Sequence, residues 1–252
     1  MRNIILLILV TCFSLQSCQN GSEKKTTETK LITNSNKKDS LQVDTPIESK
    51  DTLKIKYSEH KNLLDILTKL PEHTMGSWKW SESERIQFVK FIQENDFTFS
   101  ASPSFLKFSL IGANSIGIQV VDGYWTLAIY KIKPTNYIVV TDDMVGDGND
   151  IHAFEYKDGK LIEMDYTHLF DDMFLSHLLI YNKEDCEDLL EDNLIGFEYD
   201  FTHTTNLTIS NPHYLKENEH QNCLKGNTLN YKFNPLTKKF DLKAITWKKA
   251  EQ

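Results

Sequence analysis

Two dipeptides, Asp122-Gly123 and Asp158-Gly159, each sit between runs in which apolar and polar residues alternate. An Asp-Gly link with alternating flanks is the strongest short-range signature of a β-hairpin, because the turn needs positive φ and these residues tolerate it. Around them the period stays near two. The spacing predicts strands at Phe105–Leu110, Ile116–Val121, Tyr124–Ile132, Tyr137–Thr141, Ile151–Tyr156 and Leu161–Met164. Further strands are expected at Ile195–Phe201, Asn206–Ile209, Thr228–Phe233 and Phe240–Trp247, with short helical stretches over His168–Tyr181 and Glu184–Leu190. Short local links favour an antiparallel meander, and no strand–helix alternation points to a parallel nucleotide-binding sheet.

Two helices precede these strands. Leu63, Leu64, Leu67 and Leu70 recur at helical spacing over Glu59–Leu70, with Ser58 as the expected cap and Pro71 as the stop. Ser81 with Glu84 three residues on reads as a capping box opening a second helix. Its expected apolar face is Ile86, Phe88, Val89, Phe91 and Ile92. The fold class is therefore α+β, two N-terminal helices packed on a mostly antiparallel β meander, in one globular domain over residues 58–250. Its length of about 190 residues is ample for a single core.

The start of the chain differs in kind. Met1-Arg2-Asn3 leads into an uninterrupted apolar run from Ile4, then Leu15-Gln16-Ser17-Cys18. The run matches a secretory h-region and falls short of the roughly 20 residues that span a bilayer. The four residues Leu15 to Cys18 resemble the signal of bacterial lipoproteins, with Leu three before the cysteine and a small residue directly before it. That resemblance implies removal of residues 1–17, lipidation of Cys18 with palmitate-type chains, and a membrane-anchored protein of the cell envelope, outside the cytoplasm and most simply at the outer membrane. It covers only this segment and says nothing of the domain behind it. Each buried methylene adds about 0.8 kcal/mol, so two or three chains hold a protein firmly on lipid. Residues 18–57 then read as the lipidated cysteine and a tether rich in Lys, Thr, Ser, Asn and Glu. Such a segment buries too little apolar surface to offset its chain entropy.

With Cys12 inside the removed run and Cys18 lipidated, Cys186 and Cys223 remain, and outside the cytoplasm such a pair is expected to be bridged. There is no CxxC or HExxH to favour zinc instead. The net charge is −8, crowded into the segment Asp142–Asp200, and the only arginines are Arg2 and Arg85. That balance argues against a nucleic-acid partner, for which arginine is favoured.

Chemistry has few handles. The segment Asp142–Asp150 reads first as an acidic, Gly-rich turn. It also resembles the Asp-x-Asn-Gly-Asp-Gly calcium loops, with Asp143, Asp147, Asn149 and Asp150 as the residues a calcium ion would take. Val145 stands where an oxygen ligand belongs. The eight histidines show no paired spacing, and no catalytic nucleophile motif is present. No catalytic residue is assigned. Trp78, Trp80, Tyr124 and Trp125 offer sugar-stacking faces or, more simply, core aromatics. The expected function is binding or structural, in the manner of an immunity- or inhibitor-type lipoprotein, with a protein or glycan partner. The alternative is a carboxylate-dependent hydrolase acting on envelope or extracellular glycans, for which paired acids would have to face one another.

Overall fold

The computed structural model describes residues 53–76, 78–95, 97–99, 106–120, 123–146, 148–170, 174–180, 186 and 196–250. The signal segment, residues 18–52 of the tether, Asp147 and most of the acidic cluster around Cys186 lie outside them, whereas residues 53–57, expected in the tether, belong to the folded domain as a strand and the start of a helix. Everything described falls in one compact unit within residues 48–252.

The elements run β1 (Leu53–Ile55), α1 (Tyr57–Leu67), a 3-10 turn (Glu72–Met75), α2 (Glu82–Glu94), β2 (Phe97–Phe99), β3 (Leu106–Ile111), β4 (Ser115–Val120), β5 (Gly123–Lys133), β6 (Asn136–Val145), β7 (Gly148–Lys157) and β8 (Lys160–Met164). After a second 3-10 turn (Tyr166–His168) come α3 (Phe174–Leu178), β9 (Glu198–Asp200), β10 (Asn206–Ser210), α4 (Glu217–His220), β11 (Thr228–Asn234) and β12 (Lys239–Thr246). The chain is α+β. Strands β3 to β8 form a six-stranded antiparallel meander in chain order, β9 to β12 a second four-stranded antiparallel sheet, and β1 pairs with β2. The Asp158-Gly159 turn has positive φ at both residues, as a two-residue hairpin requires.

Alternation sends each strand's residues to two different cores. Trp125, Leu127 and Ile129 of β5, Tyr137 and Val139 of β6 and Phe154 of β7 join Leu63, Leu67, Val89 and Ile92 of the helices. Their neighbours Ala128, Tyr130, Ile138, Val140 and Ala153 face the other way, against Leu207, Ile209, Leu229, Tyr231 and Phe233 of the second sheet. The molecule is thus layered as helices, sheet, sheet. The Tyr130 hydroxyl reaches from the middle layer to the carbonyls of Phe201 and Asn206, at 3.3 and 3.4 Å.

Three local expectations are corrected. Helix α1 starts at Tyr57 after Lys56, without a side-chain cap, so Ser58 lies inside it, and it ends three residues earlier than Leu70. The capping box of Ser81 and Glu84 is formed, but the inward stripe of α2 is Arg85, Val89 and Ile92, while Ile86 and Phe91 are exposed. The reason is Arg85. Its buried guanidinium takes a core slot and donates to the carbonyls of Leu67, Leu70 and Trp80, closing the C-terminal end of α1. Lastly, the segment Asp142–Asp150 is mostly strand. Pairing of Tyr137–Thr141 with Ile151–Tyr156 propagates outward to Val145 and Gly148.

Candidate functional site

The acidic hairpin end is divided by the pleat. Asp143 and Asp150 are direct cross-strand partners, whereas Asn149 pairs with Met144, and adjacent residues of a strand point to opposite faces. Asn149 accordingly turns its amide nitrogen to both carboxylate oxygens of Asp142, at 3.0 Å each. Among the four residues of the calcium reading, Asp143 and Asp150 are brought together, Asn149 is spent on Asp142 from the other face, and Asp147 lies outside the described residues. Asp142 is buried, and its pKa is pushed up to about 7. Burial is the main cause and the nearby Asp143 and Asp150 add to it, while the Asn149 amide works against it.

On the helix-covered face the same hairpin meets a group that residue spacing did not reveal. His152 of β7 stands opposite Thr141, and Glu163 of β8 stands opposite Phe154, so both project from the face that packs on the helices. Above them lies the 3-10 turn carrying His73. That turn is pinned to the sheet by the Trp125 indole, which donates to the Thr74 carbonyl at 2.8 Å between two fully buried residues. His73 Nε2 lies 3.5 Å from Glu163 Oε1, and His152 Nδ1 lies 4.0 Å from the same oxygen. The two imidazole rings meet edge to face with centroids 4.8 Å apart. His152 Nε2 is 3.3 Å from Asp150 Oδ1, yet out of alignment for a hydrogen bond, and it is buried without a partner. Thr141 Oγ1 beside it is likewise buried and unpartnered. His152 is mostly buried, while His73 and Glu163 are half open to solvent.

The Asp158-Gly159 turn was the available signal for part of this. A two-residue turn sets Lys157 against Lys160 and hence Glu163 diagonal to His152. Nothing in the sequence ties His73 to either.

A second concavity of about 250 Å³ lies between α1, the β3–β4 turn and the central strands, lined by Glu59, Asn62, Leu63, Asn114, Lys131 and Tyr137 among others. Its lining includes one carboxylate, Glu59. Of the aromatics that could serve as sugar platforms, the three tryptophans are core: Trp125 is fully buried, Trp80 nearly so, and Trp78 packs against both at 5.7 and 5.5 Å, while Tyr124 is half-buried outside both core clusters, its hydroxyl 3.1 Å from that of Ser109. Cys186 and Cys223 form a disulfide, with Cα atoms 5.5 Å apart.

No family model matches the chain, and no curated protein matches it. In architecture it is similar to a solved domain of an uncharacterized protein from Porphyromonas gingivalis W83, with a TM-score of 0.50 and 12% sequence identity over 72% of this chain and 98% of that one. At that identity the likeness concerns the fold alone.

Proposed function

We propose that the chain is an envelope lipoprotein, anchored through Cys18, that holds a partner-binding domain clear of the membrane on the tether that precedes β1. The helical layer stands at the N-terminal side of that domain, over the meander. The observation that carries the reading is the Cys186–Cys223 disulfide. Such bonds persist in oxidising compartments and are rare in the cytosol, which accords with an exported protein. The binding role draws on the concavity beside α1. At about 250 Å³ it is below the roughly 300–1,000 Å³ of small-molecule sites, and it suits one or two side chains of a partner protein better than an oligosaccharide. A carboxylate hydrolase needs two facing acids, and Glu59 supplies one.

Two measurements test the reading. Replacing Cys18 by Ala should abolish incorporation of labelled palmitate and move the protein out of the membrane fraction. A variant that still matures and stays membrane-bound overturns the anchor. Purified wild-type protein should release no reducing sugar from envelope glycans. Turnover that disappears in Glu59→Gln would establish the hydrolase instead.

A further inference from the structure

We propose that His73, His152 and Glu163 form a binding site for a first-row divalent cation of the zinc type, with Asp150 orienting His152 from behind. The inference does not depend on the lipid anchor or on the concavity beside α1.

The donor set is the first argument. Two imidazoles and one carboxylate make up the protein ligands of many zinc sites that keep an open fourth position. One donor atom from each of the three residues lies within 4.8 Å of the other two. A tetrahedral ion with ligands at about 2.0–2.1 Å holds them about 3.3–3.4 Å apart. The His73–Glu163 pair, at 3.5 Å, already has that spacing, and the His152–Glu163 pair, at 4.0 Å, needs only a small contraction. Both residues that must move are partly exposed and free to adjust their rotamers, whereas His152 is held in the sheet.

The second argument is the imidazole of His152. Its Nδ1 faces Glu163 and its Nε2 lies 3.3 Å from Asp150 Oδ1, so a cation on Nδ1 leaves the remaining proton on Nε2, and a turn of the exposed Asp150 side chain would bring its carboxylate into line with it. A histidine ligand whose far nitrogen donates to a carboxylate is the usual supporting arrangement, since it fixes the tautomer and raises ligand basicity. It would also give a partner to a buried nitrogen that otherwise has none. The open side of the site, where His73 and Glu163 are half exposed, leaves room for water or a partner's side chain as the fourth ligand.

The preference for zinc over calcium follows from the nitrogens. Hard cations take six to eight oxygen ligands, whereas imidazole suits zinc and its neighbours in the series.

The test uses the full chain purified in detergent, stripped with chelator and titrated calorimetrically with zinc chloride. One zinc per chain should bind with micromolar or tighter affinity, and zinc should raise the melting temperature. His73→Ala and Glu163→Gln alter half-exposed side chains, so both should fold. Each should weaken zinc binding at least about tenfold, and Asp150→Asn by about 10-fold to 100-fold, with the metal-free melting temperature unchanged in all three. His213→Ala removes another exposed histidine beside a carboxylate, 3.7 Å from Glu198, and should change nothing. No heat with zinc at 100-fold excess over micromolar concentration overturns the proposal. So does zinc binding that survives both His73→Ala and Glu163→Gln. Calcium binding that is lost in Asp150→Asn but kept in His73→Ala would assign the hairpin to a hard cation instead.

Discussion

Arg85 is the residue on which the helical layer turns. A guanidinium has donors in a fixed fork, and here they serve three carbonyls on two segments, Leu67 and Leu70 at the end of α1 and Trp80 before α2. The positive charge also suits a helix C-terminus. Burial pulls its pKa down, and Glu72, Glu82 and Glu84 work in the opposite direction. Arg85→Ala would leave those carbonyls buried without donors and open a cavity, so a loss on the order of 3–5 kcal/mol is expected in urea unfolding. Arg85→Lys should recover only part of it, because an ammonium cannot reproduce the fork. Asp142 gives the second prediction. Its folded pKa, raised to about 7, exceeds the 3.8 of an ordinary aspartate, so between those values the folded state binds more protons than the unfolded one. Stability therefore falls as pH rises through that window, by about 4 kcal/mol for this group alone, and the penalty is absent below the unfolded pKa. Asp142→Asn keeps an acceptor for Asn149 without the charge. It should flatten the pH dependence of the unfolding free energy between pH 4 and 8 in chelator, and a variant with the wild-type slope would refute this account.

The meander was readable at the scale of the element because each hairpin is closed locally. Asp158-Gly159 and the alternation on either side determine both the turn and the register. Strand ends were less readable. Acids and glycines at 142–150 read as a loop by propensity, but once Tyr137–Thr141 and Ile151–Tyr156 pair, each further rung adds hydrogen bonds with little additional ordering, so the ladder runs to Val145 and Gly148. Gly226 shows a constraint of a different origin. A Cβ there would stand 2.5 Å from the Thr246 carbonyl oxygen and 2.8 Å from its carbon, and neither backbone atom can step aside cheaply. The loop before β11 lies against the end of β12 at this point, where the Asn227 backbone N–H also donates to the Thr246 carbonyl at 3.1 Å. Gly226→Ala should lower stability by about 1–3 kcal/mol, as overpacking does, and thermal melts will read it. An unchanged melting temperature would mean that the loop and β12 can separate at no cost.

For the whole molecule, the disulfide joins residues 37 apart in sequence, across a stretch whose described elements are β9, β10 and α4. Closing a loop of that size restricts the unfolded chain by roughly 3–4 kcal/mol. Cys223→Ser should therefore lower the unfolding free energy by about that amount, and reduction of the wild type should bring the two proteins together. A reductant that leaves the wild type unmoved would show the bond to be without consequence for stability. The pairing itself was accessible from the sequence, since the cysteines are few and the compartment expected for them is oxidising. So were the α+β class, the order of strands, the capping box and the Asp158-Gly159 turn, because each rests on periodicity or on interactions within a few residues; Gly123, expected in the other Asp-Gly turn, is instead the first residue of β5, paired with Val120. Tertiary structure alone decided the rest. Only packing could split the strands between two sheets and place Arg85 rather than Ile86 and Phe91 against the core. Only packing could set His73, carried on a turn held by Trp125, over His152 and Glu163. The physical reason is range: hydrogen-bonded turns and side-chain periodicity are local, whereas a site built from three separate elements exists only after the layers have closed on one another.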